Sequence, residues 1–169
     1  MFQTESRFGQ IQPGRSSRAI YQAVIEICDT GRQRGRKMLE PLDALIVSDR
    51  TEHVKTMVRI LDGLPIKAYA ACTLKQAEQV LSRQAISVIF CDERLPGGSY
   101  RKLLSARAST KRRGESCFVV TLQTGEWEEY LEALHLGAFE AIRCPIQAGD
   151  VESVLSHWSR RPMALPQSA

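Results

Sequence analysis

The sequence of 169 residues contains no long apolar run. No segment approaches the roughly 18 apolar residues that a membrane-spanning helix needs, so we expect no membrane contact. Residues 1–12 are polar and lack the apolar stretch of a secretory signal. With 43% hydrophobic and 25% charged residues, the composition is typical of a soluble globular protein. We therefore predict a cytoplasmic location.

Paired cysteines are absent as well. The five cysteines are an odd number and include no Cys-x-x-Cys pair, so neither a zinc site nor a thioredoxin-like motif is indicated. Three of them lie in apolar, strand-like runs, where a reduced thiol packs as a small hydrophobic group. We expect reduced, buried thiols.

Most of the net positive charge is concentrated near the N-terminus. The chain carries +4 in total, and residues 1–41 hold seven Arg/Lys against four Asp/Glu, which leaves +3 there. The segment 31–37 alone contains four basic residues. We interpret 1–41 as a basic extension with room for one short helix. A solvated linker is favoured over a nucleic-acid contact, because one helix and a basic stretch do not make a helix-turn-helix.

From Leu42 onward, apolar strand-like runs alternate with helix-like patterns. Strands are predicted at 42–47, 66–71, 86–92, 117–122 and 139–142. Between and after them, apolar residues recur at the spacing of one helical face, as at Val54, Met57, Val58 and Leu61. Thr51 and the Thr73–Gln76 capping box are expected to begin helices, and Gly137 to end one. A second stripe, expected to face the core, comprises Trp127, Tyr130, Leu131 and Leu134.

This alternation predicts a doubly wound α/β domain over residues 42–160, with a C-terminal tail at 161–169. The helices would cover both faces of a parallel sheet. Functional sites in such sheets lie at the carboxyl ends of the strands. Asp49 and Asp92 occupy two of those ends.

Three segments at matching spacing resemble a response-regulator receiver domain, the CheY-like signalling module. They are Asp92–Gly97 (Asp-Glu-Arg-Leu-Pro-Gly), Ala133–Ala138 (Ala-Leu-His-Leu-Gly-Ala) and the pair Cys144-Pro145. The resemblance extends over all five β/α units. It implies a flavodoxin-like sheet of order 2-1-3-4-5 and a signalling module that is not an enzyme.

The resemblance also implies a phosphorylation site. Asp92 would be the phospho-acceptor, and a carboxylate needs a nearby cation before it can attack a phosphoryl donor. Mg²⁺, which prefers oxygen ligands, would be held by Asp49, Asp92 and the backbone carbonyl of Arg94. Ser48 replaces the second acid of the family, which should weaken the metal site.

Further departures fall on the residues that respond to phosphorylation in the family. The Ser/Thr position at the end of the fourth strand is assigned to Leu122, and Thr121 is expected to point to the opposite face of the strand. Cys144 replaces the lysine, and Ala141 replaces the aromatic residue. The chain is thus interpreted as an atypical receiver with degenerate switch positions.

Two functions from different classes follow. In the first, Asp92 is still phosphorylated by a histidine kinase or a phosphotransfer protein. In the second, a phosphorylation-independent pseudo-receiver binds a protein partner or a second copy of itself. That contact would use the fourth helix and fifth strand, around Trp127, Glu128 and Phe139.

Two other functions are disfavoured. A redox or catalytic role for Cys144 conflicts with nearby carboxylates, which raise the pKa of a thiol. The three histidines, predicted on helices, are not placed to activate it. Flavin binding would need a Gly/Ser/Thr-rich loop after the first strand, whereas Ser48–Glu52 is charged.

Overall fold

A computed structural model describes residues 42–108 and 116–160 of the chain. The predicted N-terminal helix and basic stretch of 1–41, and the tail at 161–169, lie outside the described residues. None of the helices in the described part is long and apolar enough to cross a membrane.

The centre of the fold is a parallel sheet of five strands. They are β1 (Leu42–Val47), β2 (Ile66–Ala71), β3 (Val88–Asp92), β4 (Cys117–Leu122) and β5 (Glu140–Arg143). Their order is β2-β1-β3-β4-β5, and every neighbouring pair is parallel. This confirms the predicted doubly wound sheet. A short antiparallel hairpin, Arg94–Leu95 with Gly98–Ser99, follows β3.

Five helices connect or follow these strands in the described residues. They are α1 (Thr51–Asp62), α2 (Leu74–Arg83), α3 (Tyr100–Ala108), α4 (Trp127–His135) and α5 (Ala148–Ser159). Thr73 caps α2 by accepting a hydrogen bond from the backbone N–H of Gln76, as predicted. The Gln76 side chain accepts from the N–H of Cys72 instead of Thr73, so only half of the capping box forms. The predicted cap at Thr51 is wrong, because Thr51 is already helical and Arg50 precedes it.

Alternating strand residues supply one apolar layer on each face of the sheet. Leu45 belongs to the layer that α2, α3 and α4 cover, with Phe118 and Tyr100 among its largest members. Ile46 belongs to the opposite layer, where Met57 of α1 and Val151 of α5 pack. The predicted helical coverage of both faces is confirmed.

The predicted core stripe of α4 is largely wrong. Trp127 is 69% exposed, and Ala133 is the buried residue of this helix. Tyr130, Leu131 and Leu134 are only partly buried. The reason is position, because α4 packs on β4 and the edge strand β5, where it covers less apolar surface than a central helix. Beyond α4, Gly137 adopts a positive φ of 101°, which suits its predicted role as a helix terminator.

Candidate functional site at the carboxyl ends of the strands

Four polar residues meet where the parallel strands end. Ser48 follows β1, Asp92 ends β3, Thr121 lies near the end of β4, and Cys144 follows β5. The register places Asp92 directly beside Thr121 on neighbouring strands. Ser48, Asp92 and Thr121 are each only 1% exposed. Buried polar groups are costly unless they are hydrogen-bonded, so the arrangement depends on the bonds they make.

The Asp92 carboxylate is the centre of this network. Ser48 Oγ donates to Oδ2 at 2.6 Å, and Thr121 Oγ1 donates to Oδ1 at 2.5 Å. Arg50 donates to both oxygens, with Nε 3.0 Å from Oδ2 and Nη2 3.0 Å from Oδ1. Such a two-pronged guanidinium–carboxylate contact is among the stronger hydrogen-bonded pairs in proteins.

A fifth donor comes from the first turn of α1. His53 Nδ1 lies 2.9 Å from Asp92 Oδ1, and the imidazole is only 9% exposed. Because an ionised carboxylate only accepts, this contact is a hydrogen bond in the tautomer that carries its proton on Nδ1. Arg50 Nη2 also lies 2.6 Å from Nδ1, and together with Thr121 Oγ1 these groups bring three donors to Asp92 Oδ1. His53 Nε2 is buried and has no hydrogen-bond partner within the described part of the chain.

The charged forms of Asp92 and Arg50 are strongly stabilised. Burial would raise the pKa of Asp92, but the hydrogen bonds from His53, Arg50, Ser48 and Thr121 outweigh it and hold that pKa well below its usual range. The hydrogen bond to Asp92 in turn raises the pKa of Arg50 above its ordinary value. Asp92 is therefore an anion, and Arg50 its fixed counter-ion, at any neutral pH.

Arg50 also connects residues at the carboxyl ends of different strands. Its backbone N–H donates to Ser48 Oγ at 3.1 Å, and its Nη2 lies 3.5 Å from Cys144 Sγ. One side chain from the β1–α1 loop thus contacts the end of β3 and the segment after β5. The Cys144–Pro145 peptide bond of that segment is cis.

The predicted metal ligands Asp49 and Asp92 do not share a hydrogen-bonded network. Asp92 is at the centre, but the Asp49 side chain is exposed and takes no part in the hydrogen bonds around Asp92. The Arg94 side chain is exposed, with Nε 3.4 Å from the Glu93 carboxylate. Of the predicted cluster, Asp92, Ser48 and Cys144 come together, and Asp49 stays outside.

The assignment of the family's Ser/Thr position to Leu122 is wrong by one residue, although Thr121 and Leu122 do point to opposite faces as expected. Leu122 points with Val120 into the apolar layer under α2, α3 and α4. Thr121 points with Val119 to the other face, toward α1, and its hydroxyl reaches Asp92. The assignment counts back from Gly137-Ala138 through α4 and the loop before it, and an error of one residue in that count moves the position to the other face of the strand. Thr121, not Leu122, supplies the hydroxyl beside Asp92.

Sequence reasoning missed Arg50 and His53. A signal was available, because Arg50 lies only three residues after Val47, where β1 ends, at the side of the sheet on which Asp92 was expected. His53 is three residues further on, one helical turn away, and therefore on the same side of α1. His53 does lie on a helix as predicted, but on the turn that faces the site.

Comparison with solved structures shows the same architecture. The signal receiver domain of a protein described as a LuxO repressor from Vibrio parahaemolyticus has a TM-score of 0.66 at 20% identity, over 72% of this chain and 92% of that one. A protein described as a response regulator from Chloroflexus aurantiacus has a TM-score of 0.68 at 17% identity, over 72% and 100%. A CheY-like receiver domain from Methylobacillus flagellatus has a TM-score of 0.61 at 22% identity, over 70% and 99%. This chain has the receiver fold. No protein-family model and no curated protein sequence matches it.

The receiver fold implies a Mg²⁺ ion beside the carboxylate at the end of β3, and the residues present do not fit one. Both oxygens of Asp92 already accept hydrogen bonds, and a guanidinium spans them. Within residues 42–108 and 116–160, no group of three or more His, Cys, Asp or Glu side chains could hold a metal. Of the predicted ligands, Asp92 is already fully hydrogen-bonded, and the Asp49 side chain is exposed and outside its network.

Proposed function

We propose that residues 42–160 form a receiver-fold signalling module that acts through protein binding, without phosphorylation of Asp92. The observation that carries this proposal is the two-pronged Arg50–Asp92 ion pair inside a buried hydrogen-bonded network. Receiver domains are signalling modules, and this chain would keep their scaffold while using the acceptor carboxylate as a structural group. A cytoplasmic location belongs to the same proposal.

The chemistry of phosphoryl transfer supports this choice. An attacking carboxylate needs an accessible oxygen with a free lone pair, in line with the leaving group. Asp92 is 1% exposed, and five donors surround its two oxygens, which offer about four lone-pair sites. Attack would require the Arg50 clamp to open first.

The residues that would report a phosphoryl group support it as well. By resemblance, Cys144 stands where the family has a lysine and Ala141 where it has an aromatic residue. Ala141 packs against the apolar layer and carries no side chain that could change position. Of the family's switch groups, the hydroxyl of Thr121 is retained at the site.

The partner surface we propose is the exposed side of α4 together with β5. Trp127 is 69% exposed and stacks on Tyr130, with 5.3 Å between ring centroids. The Tyr130 hydroxyl donates to Glu140 at 2.9 Å and so ties the helix to β5. Glu128 lies exposed next to Trp127, whereas Phe139 packs partly into the core. An aromatic side chain among acidic ones suits a protein partner with a basic, partly apolar surface.

Exposure of the full-length protein to a small acyl phosphate and Mg²⁺ tests the proposal. Intact-mass spectrometry should show no gain of a phosphoryl group, as for the Asp92→Asn variant treated in parallel. A phosphoryl group on the wild type that is missing from Asp92→Asn would refute phosphorylation independence.

The second candidate is a phosphorelay receiver that accepts a phosphoryl group at Asp92 from a histidine kinase or phosphotransfer protein. It is favoured by the position of Asp92 at the end of β3 and by the neighbouring Thr121 hydroxyl. In this case Arg50, whose side chain is 34% exposed, would swing out to release the carboxylate. The same labelling experiment separates the two candidates.

A further inference from the structure

We infer that the Arg50 guanidinium is the resident cation of the Asp92 site, and that it excludes a divalent metal ion from it. The inference deepens the proposed function, because it names the group that closes the site. It also assigns to one arginine the place that the receiver fold otherwise leaves for a metal.

The geometry leaves no ligand position open on Asp92. Mg²⁺ needs oxygen ligands at about 2.0–2.1 Å in octahedral directions. The Nε and Nη2 atoms of Arg50 stand 3.0 Å from the two carboxylate oxygens. A metal ion bound to either oxygen would therefore meet a full positive charge at close range, and the guanidinium would have to leave.

The charge balance leads to the same conclusion. Asp92 and Arg50 neutralise each other, so the buried site as it stands attracts no dication. Asp49 could add one negative charge, but its side chain is exposed and apart from the network. The other contacts of Asp92 come from His53 Nδ1 and from the neutral hydroxyls of Ser48 and Thr121, and none of them adds negative charge.

Ser48 positions the arginine as well as replacing an acid. Its Oγ accepts from the backbone N–H of Arg50 while donating to Asp92 Oδ2. A carboxylate at position 48 could not donate to Asp92 and would repel it. Ser48 and Arg50 thus act together, because the hydrogen bond to the Ser48 hydroxyl holds the backbone of the loop from which the guanidinium reaches the Asp92 carboxylate.

Arg50 also brings positive charge to the neighbourhood of Cys144. Its Nη2 is 3.0 Å from Asp92 Oδ1 and 3.5 Å from Cys144 Sγ. By resemblance, position 144 is where the family places a cationic lysine. One guanidinium from the β1–α1 loop therefore places its positive charge both where the fold would hold a metal ion and on the side of Asp92 next to residue 144.

Thermal unfolding of the full-length protein, with and without MgCl₂, tests this inference. Wild type should show no change in Tm beyond that in NaCl of equal ionic strength. Arg50→Ala should have a lower Tm, and Mg²⁺ should raise it by about 3–6 °C at roughly ten times the dissociation constant. Arg50→Lys, which keeps a cation, should respond less than Arg50→Ala. Arg50→Ala/Asp92→Asn should not respond.

Two results would overturn the inference. One is a Mg²⁺-dependent rise in the Tm of wild type that Asp92→Asn abolishes. The other is a folded Arg50→Ala protein without any Mg²⁺ response. If Arg50→Ala does not fold, wild type and Asp92→Asn are titrated with Mn²⁺, and binding is followed by water-proton relaxation. Mn²⁺ binding by wild type alone would contradict the inference. Equally weak binding by both proteins would support it.

These readouts involve no phosphoryl donor. Phosphorylation of Asp92 would overturn the proposed function and leave the metal measurement intact. Binding of Mg²⁺ by wild type without phosphorylation would overturn only the role of Arg50 as the resident cation.

Discussion

Asp92 stabilises the fold through its ionised carboxylate. We expect Asp92→Asn to lower the free energy of unfolding by about 2–3 kcal/mol at pH 7, because it leaves the partly buried Arg50 without its counter-ion. Urea unfolding followed by circular dichroism measures the change. Asp49→Asn is the matched control, since it removes an exposed neighbouring carboxylate and should cost less than about 0.5 kcal/mol. Equal effects of the two substitutions would show that the network contributes nothing.

The same carboxylate should make stability depend on acid. The pKa of Asp92 is lower in the folded than in the unfolded protein, where it is near 3.9. Its contribution is therefore complete above the unfolded value and is lost as the pH falls toward the folded value. The stability difference between wild type and Asp92→Asn should shrink by about 1 kcal/mol between pH 5 and pH 3. Urea unfolding at each pH measures this difference, and one that stays constant or grows in acid would contradict the prediction.

Single residues also show where sequence reasoning stops. Asp92 could be predicted, because the loop after it and the strand before it are local patterns. Arg50 was missed, because its contact with Asp92 spans 42 residues and is visible only when the loop after β1 is considered together with the end of β3. The assignment of the hydroxyl position to Leu122 instead of Thr121 has a related cause, since an error of one residue reverses the face to which a strand side chain points.

At the scale of helices and strands, α4 stands out because it has a single buried residue, Ala133, and an exposed large aromatic side chain, Trp127. Because Trp127 is 69% exposed, Trp127→Ala should change the free energy of unfolding by less than about 0.5 kcal/mol. Met57→Ala in α1 is the contrast, because Met57 is fully buried and its truncation should cost about 2–5 kcal/mol. Urea unfolding compares the two. A cost for Trp127→Ala near that of Met57→Ala would mean that α4 is anchored by this side chain.

The difference between α4 and the other helices explains which sequence patterns succeeded. The stripe of α1 predicted burial correctly, because Val54, Met57 and Leu61 pack over the central strands. The stripe of α4 has the same spacing but lies over the edge of the sheet. Spacing indicates that a helix has an apolar side, whereas the depth of burial depends on which strands lie beneath it.

At the scale of the whole molecule, the sheet edge brings together side chains that are far apart in the sequence. Parallel direction and two-sided helical cover could be predicted from the alternation of patterns, and the strand order was implied by the resemblance to receiver domains. The site could be predicted only in part. Its place at the carboxyl ends follows from the topology, but its state depends on which side chain fills the space next to Asp92.

The predicted domain limits give a test at this same scale. Within residues 42–108 and 116–160, both apolar layers are built from residues between Ala44 and Trp158, and we predict that a fragment of residues 42–160 folds by itself. We expect one cooperative urea transition with the midpoint and m-value of the full chain, because m reflects the surface exposed on unfolding. A fragment with a lower midpoint but an equal m-value would show that residues 1–41 or 161–169 stabilise the domain. A fragment without a transition would show that the folded unit extends beyond 42–160.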